Sequence, residues 1–227
     1  MSVAAGDGGP VDGGLVVVDS GGANLGSVMV ALRRLGAQPP LVRDADAIAR
    51  AGRVLLPGVG AAGPVMRRLR ELGLVEALRG LRVPLLGICV GMQVLFDRSE
   101  EGDTECLGLL PGTVRRLRGG AGVRVPHMGW NALEFAARGQ ADRPGAEASG
   151  TASRGSRLLD GIDDGAHAYF VHGYAASAGA GCIASVTHGE RFAALVQRGH
   201  VAGAQFHPER SAGTGARLLR NFLAWQP

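Results

Sequence analysis

The sequence contains no lysine. Its 24 basic residues are all arginine, in a chain of 227 residues that also carries 38 glycines, so the bias is one of composition along the whole length. A net charge of +4 invites a nucleic-acid partner. The arginines, however, fall in separate places (33–34, 67–70 and 115–118) and form no single stripe. Aromatic residues, at 4%, are too few to stack bases, which argues against nucleic-acid binding. Cysteine is scarce too. Three residues, at 89, 106 and 182, form neither an even disulfide framework nor a CxxC metal spacing. No apolar run approaches the roughly 20 residues needed to cross a bilayer. The opening "MSVAAGDGGPVDGG" lacks the basic, apolar and small-residue regions of a secretory signal. These absences predict a cytoplasmic protein with reduced thiols, no membrane association, no metal and no cofactor.

A hydrophobic share of 46% is enough for one sizeable core. After a glycine-rich tail over 1–14, a single domain is expected over 15–227. "LVVVDS" reads as a buried strand, and "NLGSVMVALRRLG" places Leu25, Val28, Met29, Leu32 and Leu35 at helical spacing before Gly36. "PPLVRD", "RVLLPG" and "VPLLGI" read as strands, "PVMRRLRELGLVEALRG" as one helix, and "MQVLF" as another. Later, "HAYFVHGYA", "GCIASVTHG", "FAALVQRG" and "VAGAQFHP" read as strands before a closing helix "GARLLRNFLAWQ". Early alternation of strand and helix predicts an α/β fold with an open, mostly parallel sheet flanked by helices, and the late run predicts antiparallel additions. Residues 136–156, rich in Gly, Ala, Ser and Arg without periodicity, read as a disordered insertion.

Cys89 is framed as Gly87-Ile88-Cys89-Val90-Gly91, where an apolar strand meets a helix. A strained turn there, with no β-carbon two residues away on either side, would project the sulfur from the edge of the sheet, as in a nucleophile elbow. The helix start would favour a thiolate, and the Val90 N–H could receive an oxyanion. A small buried core residue is the competing reading of a lone cysteine. A base is available in "GAQFHPER": His207 ends an apolar strand, and Glu209 lies two positions on, where it could hold one ring nitrogen while the other faces a thiol.

"GICVGMQ" together with "FHPE" resembles the class I, triad-type glutamine amidotransferases. Within that class, "GANLGSVMVALRRLG", "LLPGVGA", "SEEG", "LGLLPGTVRRL", "VPHMGWNAL" and "YFVHGY" resemble the glutaminase subunits of imidazole glycerol phosphate synthases. The resemblance implies a flavodoxin-like fold and glutamine hydrolysis by Cys89, His207 and Glu209. It implies a second oxyanion donor from Gly58, Val59 or Gly60, whose glycines would let a peptide turn into or out of donor geometry. It also implies glutamine contacts at Gln93, Glu101, His172, Gly173 and Tyr174. Alone, Glu101 would read as a solvated charge in an acidic turn, and the tyrosines as strand aromatics. The implied partner is a (β/α)8-barrel cyclase that receives the ammonia. His127, Met128, Trp130 and Arg210 would face it, although Trp130 alone could be core and Arg210 an ordinary surface arginine.

The sequence departs from the family pattern in several places. Ser20 and Ala23 stand in "DSGGAN" where tyrosine and glycine are usual, Gly173 replaces a hydroxyl residue, and His188 stands where tyrosine is frequent. Three alternatives compete: the glutaminase of another amidotransferase, a same-fold cysteine hydrolase needing no partner, and a dinucleotide-binding domain. For the last, "VVVDSGGANLG" follows a strand and opens a helix, with Asp44 near the position of a ribose-binding acid. Ala23 replaces the required glycine, however, and the cysteine–histidine pair would have no use.

Overall fold

The computed structural model of the chain describes residues 14–21, 24–136 and 156–227. Nearly all of the expected tail and of the expected insertion lie outside the described residues.

Short, largely apolar runs make the centre of the molecule. Strands β1 (Leu15–Val18), β2 (Leu41–Val42), β3 (Arg53–Gly58) and β4 (Leu85–Cys89) are joined through helices α1 (Leu25–Arg34), α2 (Ala45–Ala49), α3 (Ala62–Glu71) and α4 (Val75–Arg79). β1, β3 and β4 are buried along their whole length, as a parallel sheet covered on both faces demands. One turn of helix, α5 (Val90–Gln93), follows β4 directly. The middle of the chain forms β5 (Arg98–Ser99), β6 (Thr104–Glu105), β7 (Thr113–Arg116), β8 (His127–Ala132) and β9 (Glu134–Phe135). Then come β10 (His167–His172), β11 (Tyr174–Ala176), β12 (Cys182–His188), β13 (Glu190–Arg198), β14 (Val201–Ala204) and the closing helix α6 (Ala212–Ala224).

The main sheet has eight strands in the order β2-β1-β3-β4-β14-β13-β12-β9. The run from β2 to β14 is parallel, and the pairs beyond β14 are antiparallel, as the sequence pattern predicts. β14 lies beside β4 with Ala204 opposite Ile88, so the residues after both strands emerge at the same edge. Leu55, Leu56, Leu85, Leu86 and Phe206 fill the core, with Leu218 and Phe222 of α6 packed into it. The buried Arg53 guanidinium donates to the carbonyls of Phe222 (2.6 Å) and Trp225 (3.2 Å), closing the C-terminal end of α6.

Several sequence expectations change in detail. The single helix expected over "PVMRRLRELGLVEALRG" is broken into α3 and α4 at Gly73, which adopts φ +67°. "HAYFVHGYA" divides at Gly173 into β10, paired with β8, and β11, paired with β7 in a different sheet. Asp44, the would-be ribose acid, accepts from the Ala47 N–H at 2.8 Å and caps α2, a local role that accounts for it fully.

Candidate active site

Cys89 has φ +54° and ψ −112°, a conformation that costs a non-glycine residue of order 1–3 kcal/mol. Its neighbours hold it there. A β-carbon at Gly87 would lie 2.5 Å from the Gly91 carbonyl oxygen, and one at Gly91 would lie 1.8 Å from that of Leu56. The glycine frame thus lets the β4–α5 turn fold onto itself and onto β3. Because α5 is a single turn, its dipole is small, and the charge facing the sulfur comes from His207 instead.

His207 lies just beyond β14 and lines the same cleft as Cys89, close enough for the sulfur to favour the imidazolium. The other side is fixed by Glu209, whose Oε1 accepts from Nδ1 at 2.8 Å. Burial works against the imidazolium, but the Cys89 and Glu209 contacts outweigh it and raise the His207 pKa from 6.5 to about 10. The Glu209 side chain is itself fully buried. Asn24, at the start of α1, donates from Nδ2 to Glu209 Oε1 and lies 3.4 Å from His207 Nδ1. Sequence reasoning missed Asn24, although it sits in the quoted "DSGGAN".

A cleft of about 330 Å³, of the size that takes a small molecule, opens over this pair. Cys89, Val90, Val59, Gly60 and His207 form its reactive end, and Gln93, Glu101, His172, Gly173 and Tyr174 line the rest. The five residues expected to contact glutamine thus lie together along one cleft. Gln93 donates from Nε2 to the Tyr174 carbonyl (2.8 Å) and to Gln205 Oε1 (3.0 Å). Both amide protons are spent, which leaves its Oε1 as the atom able to meet a ligand. Glu101 accepts from the Ala62 N–H at 3.0 Å, tying the start of α3 to the cleft.

The expected oxyanion loop needs one correction. Gly58 is not part of its free portion: it pairs with Cys89 in the sheet, and a β-carbon there would sit 2.5 Å from the Gly91 nitrogen. Of the three, only Gly60, at φ +88°, uses the left-handed region, a conformation that glycine adopts without strain. The buried Ser20 hydroxyl donates to the Pro57 carbonyl and ties the turn after β1 to this loop.

The profile of the glutamine amidotransferase class-I family matches residues 16–225. The chain belongs to the class-I glutamine amidotransferases. It is 56% identical over 209 residues to the imidazole glycerol phosphate synthase subunit HisH of Xanthomonas axonopodis pv. citri, covering 92% of this chain and 96% of that protein. The subunit of the same name from Xylella fastidiosa (strain Temecula1) is 54% identical with the same coverage. A crystal structure of a glutamine amidotransferase superposes with a TM-score of 0.68 at 23% identity, covering 93% of this chain and 98% of that one, which shows a shared fold.

In this amidotransferase, the strand pair β8–β10 shows which residues face outward. Alternation along a strand puts Met128 and Trp130 on one face with their cross-strand partners Val171 and Tyr169. Met128 is 65% exposed and Trp130 52%. Trp130 meets the Tyr169 ring at 5.8 Å between centroids, and the Arg210 guanidinium lies 5.8 Å from the same ring. His127 departs from expectation because the same alternation turns it inward. It is buried, 3.3 Å from His172 Nε2 through Nδ1, and stacked on His188 at 4.2 Å. Burial lowers the His127 pKa to about 4 and that of His172 to about 3, so both rings are neutral. His188, one of the departures from the family pattern, donates from Nε2 to the Arg124 carbonyl at 2.8 Å. At Gly173 a β-carbon would make only an ordinary 3.8 Å contact, so the missing side chain reflects no steric demand. No helix among the described residues is long and apolar enough to cross a membrane.

Proposed function

We propose that the chain is the cytoplasmic glutaminase subunit of an imidazole glycerol phosphate synthase and hands ammonia to a (β/α)8-barrel cyclase. The observation that carries this reading is His207, bonded to Glu209, lining one cleft together with Cys89, a cleft with room for glutamine. Identity of 56% to subunits of that name supports it.

In this reading the Cys89 sulfur attacks the carboxamide carbon of glutamine. The oxyanion is received by the Val90 N–H and by a peptide N–H from the Gly58–Gly60 loop. The His207 imidazolium gives its proton to the departing nitrogen, so the carbon–nitrogen bond breaks and a γ-glutamyl thioester remains. A water then loses a proton to His207 and attacks the thioester, which releases glutamate and returns the electron pair to sulfur. Glu209, steadied by Asn24, keeps the ring aligned throughout. Gln93, Glu101, His172, Gly173 and Tyr174 hold the amino-acid end of glutamine.

Ammonia released into neutral water becomes ammonium, which has no lone pair to attack with, so a docked acceptor enzyme has a chemical purpose. There the ammonia attacks a phosphoribulosyl-formimino aminoimidazole carboxamide ribonucleotide, giving imidazole glycerol phosphate and an aminoimidazole carboxamide ribotide. Met128, Trp130 and Arg210 supply the exposed face of aromatic, methionine and arginine character that suits an interface. The chain alone is a poor glutaminase in this reading, because the Val59–Gly60 peptide completes the oxyanion site only with the partner and its nucleotide bound.

Replacing Cys89 by alanine separates the two half-reactions. With the barrel cyclase present, Cys89→Ala should abolish imidazole glycerol phosphate formation from glutamine and leave formation from added ammonium salts intact. Loss of both would assign Cys89 a structural role, and glutamine hydrolysis equally fast with and without the cyclase would favour a stand-alone hydrolase.

A further inference from the structure

Gln205 is fully buried beside the nucleophile, and the mechanism above makes no use of it. It follows Ala204, which pairs with Ile88, so it stands level with Cys89 across the adjacent strand. The two ends of an amide have the same shape, but here the partners identify them. The Tyr174 carbonyl oxygen can only accept, so the Gln93 atom 2.8 Å from it is a nitrogen. The second proton on that nitrogen needs an acceptor, so the Gln205 atom 3.0 Å away is Oε1. What remains is Gln205 Nε2, which points at the Cys89 sulfur from 3.8 Å.

We infer that Gln205 is a hydrogen-bond donor to the nucleophilic sulfur, oriented for that task by Gln93. An N–H directed at sulfur favours its anionic form over the thiol, because a charged acceptor roughly doubles the strength of the bond. The same donor acts twice in the cycle. It stabilises the sulfur before attack, and again when the carbon–sulfur bond breaks and the electron pair returns to sulfur. A neutral amide suits the position. A lysine or arginine there would set a permanent cation beside the imidazolium of His207 and work against its proton, whereas the amide supports the sulfur without that conflict.

The inference rests on Cys89 being the nucleophile, and the test separates the two. The full chain is treated with iodoacetamide across a pH range, and labelling of each cysteine is followed by peptide mass spectrometry. Burial raises the Cys106 and Cys182 thiols to about 11, so Cys89 should react far ahead of them at neutral pH. If it does not, the nucleophile reading itself fails. In Gln205→Met, which keeps the volume and removes the donor, labelling of Cys89 at pH 7 should slow about tenfold or more, the worth of one hydrogen bond to a charged group. Its half-maximal pH should move upward, and kcat for glutamine should fall with KM little changed. Gln93→Met, which leaves Gln205 in place but frees its amide to turn, should move the profile in the same direction by less. A folded variant of either kind with an unchanged pH profile would overturn the donor role.

Discussion

His207 carries a charge that burial alone would remove, and the contacts with Cys89 and Glu209 hold it there, from 6.5 up to about 10. The fold therefore binds this proton more tightly than the unfolded chain does. The resulting stabilisation is complete below about 6.5 and is lost as pH rises through about 10. In the proposed mechanism the same proton is given to the departing nitrogen, so kcat/KM for glutamine should decline on the alkaline side through about 10. Glu209→Gln should lower kcat by about a hundredfold or more, by analogy with loss of the orienting carboxylate in other triads. It should also shift the alkaline limb to lower pH, because the anion that raises His207 is gone. An unmoved limb in a folded Glu209→Gln protein would show that Glu209 does not set the charge of His207. At this scale the sequence exposes the three residues of the proposed triad through their glycine frame and spacing. Asn24 and Gln205 escape it, because an asparagine after a glycine turn and a glutamine at a strand end are ordinary until the neighbouring side chains are known.

At the scale of elements, a single turn of helix packed on two strands holds Cys89 in its strained position. A β-carbon at Gly91 would sit 1.8 Å from the Leu56 carbonyl oxygen, in backbone that cannot yield without separating α5 from β3. Gly91→Ala is accordingly expected to lower unfolding free energy in urea by about 3 kcal/mol or more, beyond ordinary overpacking. Gly26→Ala in α1 is the control. Nothing lies within 4 Å of that β-carbon, so the change should be neutral or gain up to about 1 kcal/mol of helix propensity. Equal losses in the two variants would refute the packing account. Periodicity locates the strands and helices of the parallel half well. It fails at Gly73 and Gly173, where one apolar pattern continues across a break that only φ and the choice of partner strand reveal.

The whole molecule gathers chemistry at one edge of the sheet and an apolar face beside it. Arg210 belongs to both: it lines the cleft and lies over Tyr169, which in turn touches Trp130. Because Trp130 is 52% exposed, removing its ring should leave the fold nearly as stable while costing association. Trp130→Ala should raise the Kd for the barrel cyclase by about thirtyfold, the effect of a 2 kcal/mol hot spot, as read by titration calorimetry. An unchanged Kd would move the interface elsewhere.

The sequence by itself determined the α/β alternation, the glycine-framed turn at Cys89, and the histidine and glutamate proposed to serve it. Those features are local: they rest on residue period, on glycine at fixed offsets and on short-range order along the chain. Only the tertiary structure decided that Gly58 is pinned in the sheet, that His127 turns inward, that Asn24 reaches Glu209 and that Gln205 reaches Cys89. Each of those depends on which strand lies beside which, and at what register. Gln205, for instance, meets the sulfur of Cys89 only because β14 pairs with β4.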